Sequence, residues 1–305
     1  MAVFNKKVDF MMIFSVANAN VNGDPNADAR PRVDDNNYGL MSDVCFKHKV
    51  RNYLETVYGN EGNDRVLLSP AESSKGFGTI KARVEAGLTA EELTKLGSNK
   101  INEYAERMAI VCSRFIDVRM FGAMLAYKQE GTKSKKKDAD STEKAGVSLG
   151  IRGPITVQWA KTVAPVVVFD NGITKCISTD TEDEKGSDTM GNKSFVKHGL
   201  YVVKGSINGF NAEKCGLTEE DVEKFKQALL HMFECDESAS RPSGSIKVEK
   251  VFWWQHNSRL GNACSADVFD TVHIECNSND PESFGDYTIT TVNNFDGCPE
   301  PIVLK

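Results

Sequence analysis

The stretch that most constrains this chain is polar and turn-rich: NANVNGDPNADARPRVDDNNYG, residues 18–39. It cannot be core. Asn22-Gly23 and Asp24-Pro25 are adjacent turn signals, and Arg30 and Arg32 flank Pro31 on a stiff, extended segment. Connections of more than about 20 residues are uncommon inside compact domains and are usually functional or disordered. The loop therefore has to lie on the surface, between the apolar run KKVDFMMIFSVA of residues 6–17, which reads as a central strand, and a helix.

That helix, LMSDVCFKHKVRNYLETVY, has Ser42 or Asp43 as its N-cap. Phe46, Val50, Tyr53 and Val57 form one apolar stripe. Lys47 and Arg51 share another face, with His48 beside them and Lys49 further round. Basic residues on a helix are usually a solvated face. Next to an amide-rich loop, however, two cations in register make a cradle for a phosphate chain. No GxxxxGK[ST] loop follows a strand, so phosphate-loop chemistry is not indicated.

Composition narrows the class. The chain has 305 residues, 40% of them hydrophobic, which is low for a compact globule and implies insertions. No apolar run is long enough to span a membrane, and the first strand lacks a signal-peptide cleavage site. The eight cysteines are scattered without a CxxC pair, which points to reduced thiols in a cytoplasmic protein and to no metal site. Net charge is −6, but unevenly spread: residues 259–305 hold eight acids and two bases, residues 41–58 three bases and two acids. A local basic face on an acidic protein can still hold a polyanion.

Residues 60–113 read as an inserted helical lobe or a plain structural cap, with Thr89 and Glu92 forming a capping box and Ile101, Ala105, Met108 and Val111 or Cys112 on one helix face. Residues 114–127, RFIDVRMFGAMLAY, read as a short strand or strand-turn, with Asp117 and Arg119 a local ion pair. Arg119 and Phe121 suit holding a phosphate and stacking a base, although Phe121 suits a core equally well. Residues 128–146 are low-complexity and lysine-rich, which reads as a solvated loop. Arg152 sits in a Gly/Pro kink.

Residues 178–198 leave a strand pattern and return to it, as a protruding hairpin with Met190 near its tip and Lys193 beyond. A large apolar residue there needs a partner, and methionine suits a wedge between bases or a subunit contact. Residues 217–234 are the clearest helix, with Thr218 and Asp221 as a box and Val222, Phe225, Leu229 and Met232 or Phe233 facing the core. Arg241 in the loop that follows is a second anion contact. SIKVEKVFWWQH and SADVFDTVHIEC read as strands. The element order is that of a βαββαβ ferredoxin-like α+β fold with large insertions.

The series NANVNGDPNADARPR, SDVCFKHKVRNYL, FIDVRMFG, SLGIRGPITVQWA, KGSDTMGNK, GLYVVKGSIN and VEKVFWWQHNSRLG strongly resembles the CRISPR type I-C backbone proteins, the Cas-seven family in its Csd-two branch. Val21 departs from the proline usual there. The resemblance implies a modified RRM-like palm spanning residues 1–305, with a finger at 60–113 and a thumb at 165–200. It also implies copies stacked head-to-tail along a crRNA, each thumb flipping out a base of its neighbour's RNA and leaving the rest to pair with target DNA.

Its partners would be the crRNA, target DNA, further copies, the subunit holding the crRNA 5′-handle and the large and small subunits; it would use no cofactor and no membrane. By position, Asn18, Asn20, Asn22, Arg30 and Arg32 would shape the loop near RNA. Lys47, Lys49 and Arg51 would contact phosphates, with Arg119, Phe121, Arg152 and Arg241 supporting from the palm, and Met190 and Lys193 would act at the thumb. Two enzyme readings compete. One is a metal-dependent ribonuclease like type III backbone subunits, using Asp24, Asp28, Asp34 or Asp35; the other is a Cys45/His48 nucleophile without a third orienting group. Turn aspartates are more often structural, and the resemblance argues for no catalysis.

Overall fold

The computed structural model describes residues 2–59, 61–69, 78–97, 103–128, 146–174, 190–292 and 297–305. In chain order these form β1 (Val8–Ala19), β2 (Tyr38–Met41), α1 (Asp43–Tyr58), α2 (Ile80–Gly87), α3 (Ala90–Leu96), α4 (Tyr104–Arg114), α5 (Ile116–Phe121), β3 (Gly122–Lys128), β4 (Gly146–Arg152), β5 (Ile155–Val157), β6 (Ala160–Pro165), β7 (Val168–Thr174), β8 (Met190–Ile207), α6 (Gly209–Cys215), α7 (Glu219–His231), β9 (Ile246–Gln255), α8 (Ser265–Phe269), β10 (Val272–Cys276), β11 (Tyr287–Thr291) and β12 (Ile302–Val303).

The main sheet has the order β12-β9-β1-β8-β6-β2, with β5 and β7 on other stretches of β8. Neighbours are antiparallel throughout. In its middle four strands, α1 carries the chain from β1 past β8's place, and α7 carries it from β8 past β1. That is the ferredoxin-like α+β topology, here with a wider sheet.

The composition of β1 follows from its position. Phe10, Met12, Phe14 and Val16 pack with Phe46, Val50 and Leu54 of α1 and Val222, Phe225 and Leu229 of α7. Met11 and Ile13 point to the other face, against Trp254, Val268, Phe269 and Val272. An antiparallel sheet usually leaves one face wet and alternates accordingly. Here the C-terminal α8–β11 layer covers the second face, so the run has no alternation. Each buried phenylalanine in it contributes roughly 1.5–3 kcal/mol of hydrophobic stabilisation.

A second core joins Leu67, Val84, Leu96 and Val111 to Leu125, Val147, Leu149 and Ile151 of the β3–β4 hairpin. The helical lobe is thus packed as one unit with residues well past 113. The predicted strand-turn at 114–127 is a turn of helix, α5, followed by β3. Buried Asp117 accepts hydrogen bonds from the Leu67 and Leu68 amides (2.8 and 3.1 Å) and so pins α5 to the lobe. The stretch SADVFDTVHIEC is likewise half helix, α8, because Val268 and Phe269 turn together into the core.

Gly122 ends α5 at φ 75°, ψ 176°, a region open essentially to glycine alone, where an added Cβ would sit against the Ile151 carbonyl and the Gly153 amide. Gly122→Ala is expected to lose about 1–3 kcal/mol to backbone strain alone. A urea melt indistinguishable from wild type would show that the lobe tolerates a shifted hairpin.

Candidate nucleic-acid interface

All four positive-φ non-glycine residues among the described residues lie in the 18–39 loop: Asn18 (52°), Asp28 (50°), Ala29 (56°) and Asn37 (63°). Asn and Asp tolerate this region; alanine there costs on the order of 1–2 kcal/mol. Persistent strain of this kind needs a surround that over-determines it.

The hydrogen bonds supply that surround. The Asp24 amide donates to the Arg30 carbonyl (2.7 Å), Ala29 to Asp24 (2.9 Å), and Arg32 to Asn22 (2.9 Å). Asn20 Nδ2 donates to the Ala29 carbonyl at 2.8 Å. Asn22 Oδ1 accepts from the Ser42 amide at 2.9 Å, and Ser42 in turn caps α1, so the loop is fastened to the first turn of the helix. Asp24 Oδ1 accepts from Asn26 and Asp34 Oδ1 from Asn36 and Tyr38. Asp34 also pairs with Lys161 at 2.8 Å, whose hydrogen bond holds the carboxyl below its ordinary range. These two aspartates are committed to turns.

Arg30 is exposed and reaches out of the loop: its Nε donates to Asp170 on β7 at 3.0 Å. Ser194 on β8 donates to the same oxygen at 2.5 Å, and this bond, then Arg30, holds the Asp170 carboxyl down. The loop is thereby joined to the β7–β8 hairpin, which carries Lys193, half-buried and with no acid partner among the described residues. Met190 is the first residue of β8 and pairs with Thr174. It stands in the ladder, not at the predicted tip. The acidic run 180–188 and most of the lysine-rich loop at 128–146 lie outside the described residues.

The basic residues of α1 separate. Lys47 pairs with Asp43 at 2.8 Å and stays partly exposed. Lys49, 2% exposed, is buried against Asp236. Arg51, 7% exposed, donates to Asp117 at 2.9 Å and lies 5.3 Å from the Phe121 ring. These two cations are structural, as is Arg119. Its Nε and Nη2 donate to Asp221 at 3.0 and 2.9 Å, and its Nη1 donates to the carbonyls of Asn63 and Cys112. The predicted Asp117–Arg119 pair does not form. Phe121 is half-buried and edge-on to Phe225, hence part of the core.

Arg241 bonds Asp236 at 2.7 Å and reaches the Asn20 carbonyl at 3.5 Å, while the Asn20 amide donates to the Ser240 carbonyl at 2.9 Å. The two loops read separately in the sequence are therefore neighbours, and Arg241 is a brace between them before it is an anion contact. Arg152 is exposed at the end of β4, with no acid partner among the described residues. Burial lowers the His48 pKa and pushes the Cys45 thiol up, the wrong direction for a nucleophile.

Sequence reasoning missed Trp159. The Arg32 guanidinium lies 5.5 Å from its ring centroid, yet the residue is 49% exposed. It also missed Asp236 and the true partners of Asp117 and Asp221; these three acids neutralise four of the cations, Lys49, Arg241, Arg51 and Arg119. What remains available to an anion beside the loop is a rim of Asn18, Arg30, Lys47 and Lys193, with Arg32 behind it; Arg152 lies apart from them, near the Val8–Ile207 end of the sheet.

The family model for CRISPR-associated protein Cas7 matches residues 6–292. A CRISPR-associated protein Cas7 of Haloferax volcanii is 25% identical over 224 residues, covering 71% of this chain. The chain spans 61% of the length of that relative. Among solved structures, a CRISPR RNA-guided surveillance complex, pre-nicking, superposes with a TM-score of 0.43 at 18% identity, covering 81% of this chain and 75% of that one. The type III-B Cmr-beta bound to cognate target RNA gives 0.41 at 8% identity, covering 81% and 61%. With the family model matched over residues 6–292, the chain belongs to the CRISPR-associated Cas7 family.

Proposed function

We propose that this protein is the crRNA-binding backbone subunit of a type I-C CRISPR surveillance complex. Copies stack head-to-tail along the guide RNA and present it for pairing with target DNA. The observation that carries this reading is the strained, internally bonded 18–39 loop, fastened to α1 through Ser42 and to the β7–β8 hairpin through Arg30 and Asp170. A rigid loop with cations at its rim fixes the path of a phosphate chain without reading sequence. Family membership supports the same reading. Sequence recognition would then belong to base pairing. The lobe at 60–113 and the hairpin at 165–200 act as finger and thumb.

The acidic net charge is compatible with this role. Each copy contributes a few phosphate contacts, and assembly along one strand adds them. The subunit acts without catalysis; Asp24 and Asp34 serve the loop's turns.

Arg30→Glu with Lys47→Glu is expected to strip most RNA from the purified protein. It should also flatten the dependence of log affinity on log salt by about 0.7 per lost phosphate contact. Unchanged RNA content with an unchanged salt slope would overturn the reading.

A further inference from the structure

β5 and β6 both pair with β8, but not in one register. From Val157↔Gly205 to Lys161↔Val202, four steps on one strand face three on the other. The extra residue is a bulge at Gln158–Trp159, held by the Gln158 amide donating to the Lys204 carbonyl at 2.8 Å. Bulges re-aim side chains, and here two successive residues, Gln158 and Trp159, are both exposed.

Trp159 stands at the edge of a groove of about 520 Å³ on the sheet, within the ~300–1,000 Å³ of ordinary ligand sites. Its floor is apolar, including Met11, Val202 and Ile274, and its cations are Lys161 and Lys204. None of its lining residues is acidic, in a chain of 43 acids and net charge −6. Lys204 has no acid partner among the described residues and lies 5.5 Å from the Phe269 ring. Lys161 shares Asp34 and lies over Tyr38 at 4.4 Å. Arg32 links this groove to the 18–39 loop by covering part of the Trp159 ring.

We propose that Trp159 is a stacking platform for an unpaired nucleobase, with Lys161 and Lys204 taking the adjacent phosphates of a single strand that continues from the loop. An exposed indole beside cations, in a groove with no acid in its lining, suits a strand with accessible bases, since every base has a π-face. A paired duplex would hide those faces. The inference rests on the RNA-binding reading above and adds to it the residue that touches a base.

The test uses the fluorescence of the full chain. It has three tryptophans, and Trp253 and Trp254 are 0% exposed, so quenching by a ligand reports Trp159. An oligouridylate is titrated against an abasic strand of equal length and charge. Quenching by the first and not the second is expected. Trp159→Leu should lose affinity for the oligouridylate by about tenfold, and Trp159→Phe should keep most of it.

Wild-type affinity in Trp159→Leu, with Arg30→Glu/Lys47→Glu still impaired, would overturn this site and leave the RNA reading standing. No binding of either strand by wild type would overturn both. Self-association without RNA that is lost in Trp159→Leu would assign the groove to a second copy instead.

Discussion

Replacing Arg119 with methionine is expected to lower the unfolding free energy by about 3–5 kcal/mol, the cost of breaking a buried ion pair from one side. The guanidinium is 7% exposed and spends all its donor groups inside the protein: two bonds to Asp221 and one to each of two carbonyls. Removing it strands a carboxylate that is 2% exposed. The same carboxylate closes the capping box of α7, accepting from the Thr218 amide at 2.9 Å. The pair therefore ties α5 to the start of α7, and with it the lobe to the main-sheet core. Arg119→Lys should recover little, because an ammonium cannot reproduce the two-pronged contact. Urea unfolding followed by circular dichroism measures the loss. A variant of wild-type stability that binds RNA poorly would mean that Arg119 reaches a phosphate after all.

The local features of the chain were legible in its sequence. Ser42, Thr89 and Thr218 cap the helices they should, because capping depends on residues three apart. The strand–helix order leads to the observed sheet. The functional assignment of cations was less legible, and the reason is distance along the chain. Arg51 meets Asp117 across 66 residues, Arg119 meets Asp221 across 102, and Lys49 meets Asp236 across 187. No periodicity carries that information, and a lone helix with Lys and Arg on it reads as a solvated face.

The apolar stripe of α1 carries the same lesson. Phe46, Val50 and Tyr53 are buried as its spacing predicts, but Val57 is 49% exposed and Leu54 is fully buried. α1 has neighbours on more than one side, so its buried face includes Lys49 and Arg51 as well. Trp159 was invisible for another reason. Its exposure follows from a one-residue register slip between β5 and β6, and a slip of that kind appears only once the partner strand is known.

Asp236→Ala provides the other large effect, also about 3–5 kcal/mol, and it reaches the 18–39 loop as well as the core. Asp236 is 7% exposed and accepts from both Lys49 and Arg241. Without it, Lys49 is left as an unpaired ammonium at 2% exposure, with Phe233 as its aromatic neighbour. Arg241 loses its carboxylate partner and keeps only the 3.2 Å bond from Nε to the main-chain carbonyl of residue 236, so its hold under the Asn20 carbonyl loosens, and Asn20 in turn holds the strained Ala29 turn through Nδ2. Stability and RNA affinity should therefore fall together. The double variant Lys49→Met/Asp236→Leu separates the two. Replacing both charges by apolar groups removes the desolvation penalty, so most of the stability should return. Arg241 still lacks its carboxylate partner, so RNA affinity should stay low. Recovery of both quantities would show that the brace between the loops is dispensable, and that the loop's own hydrogen bonds are enough to hold its shape.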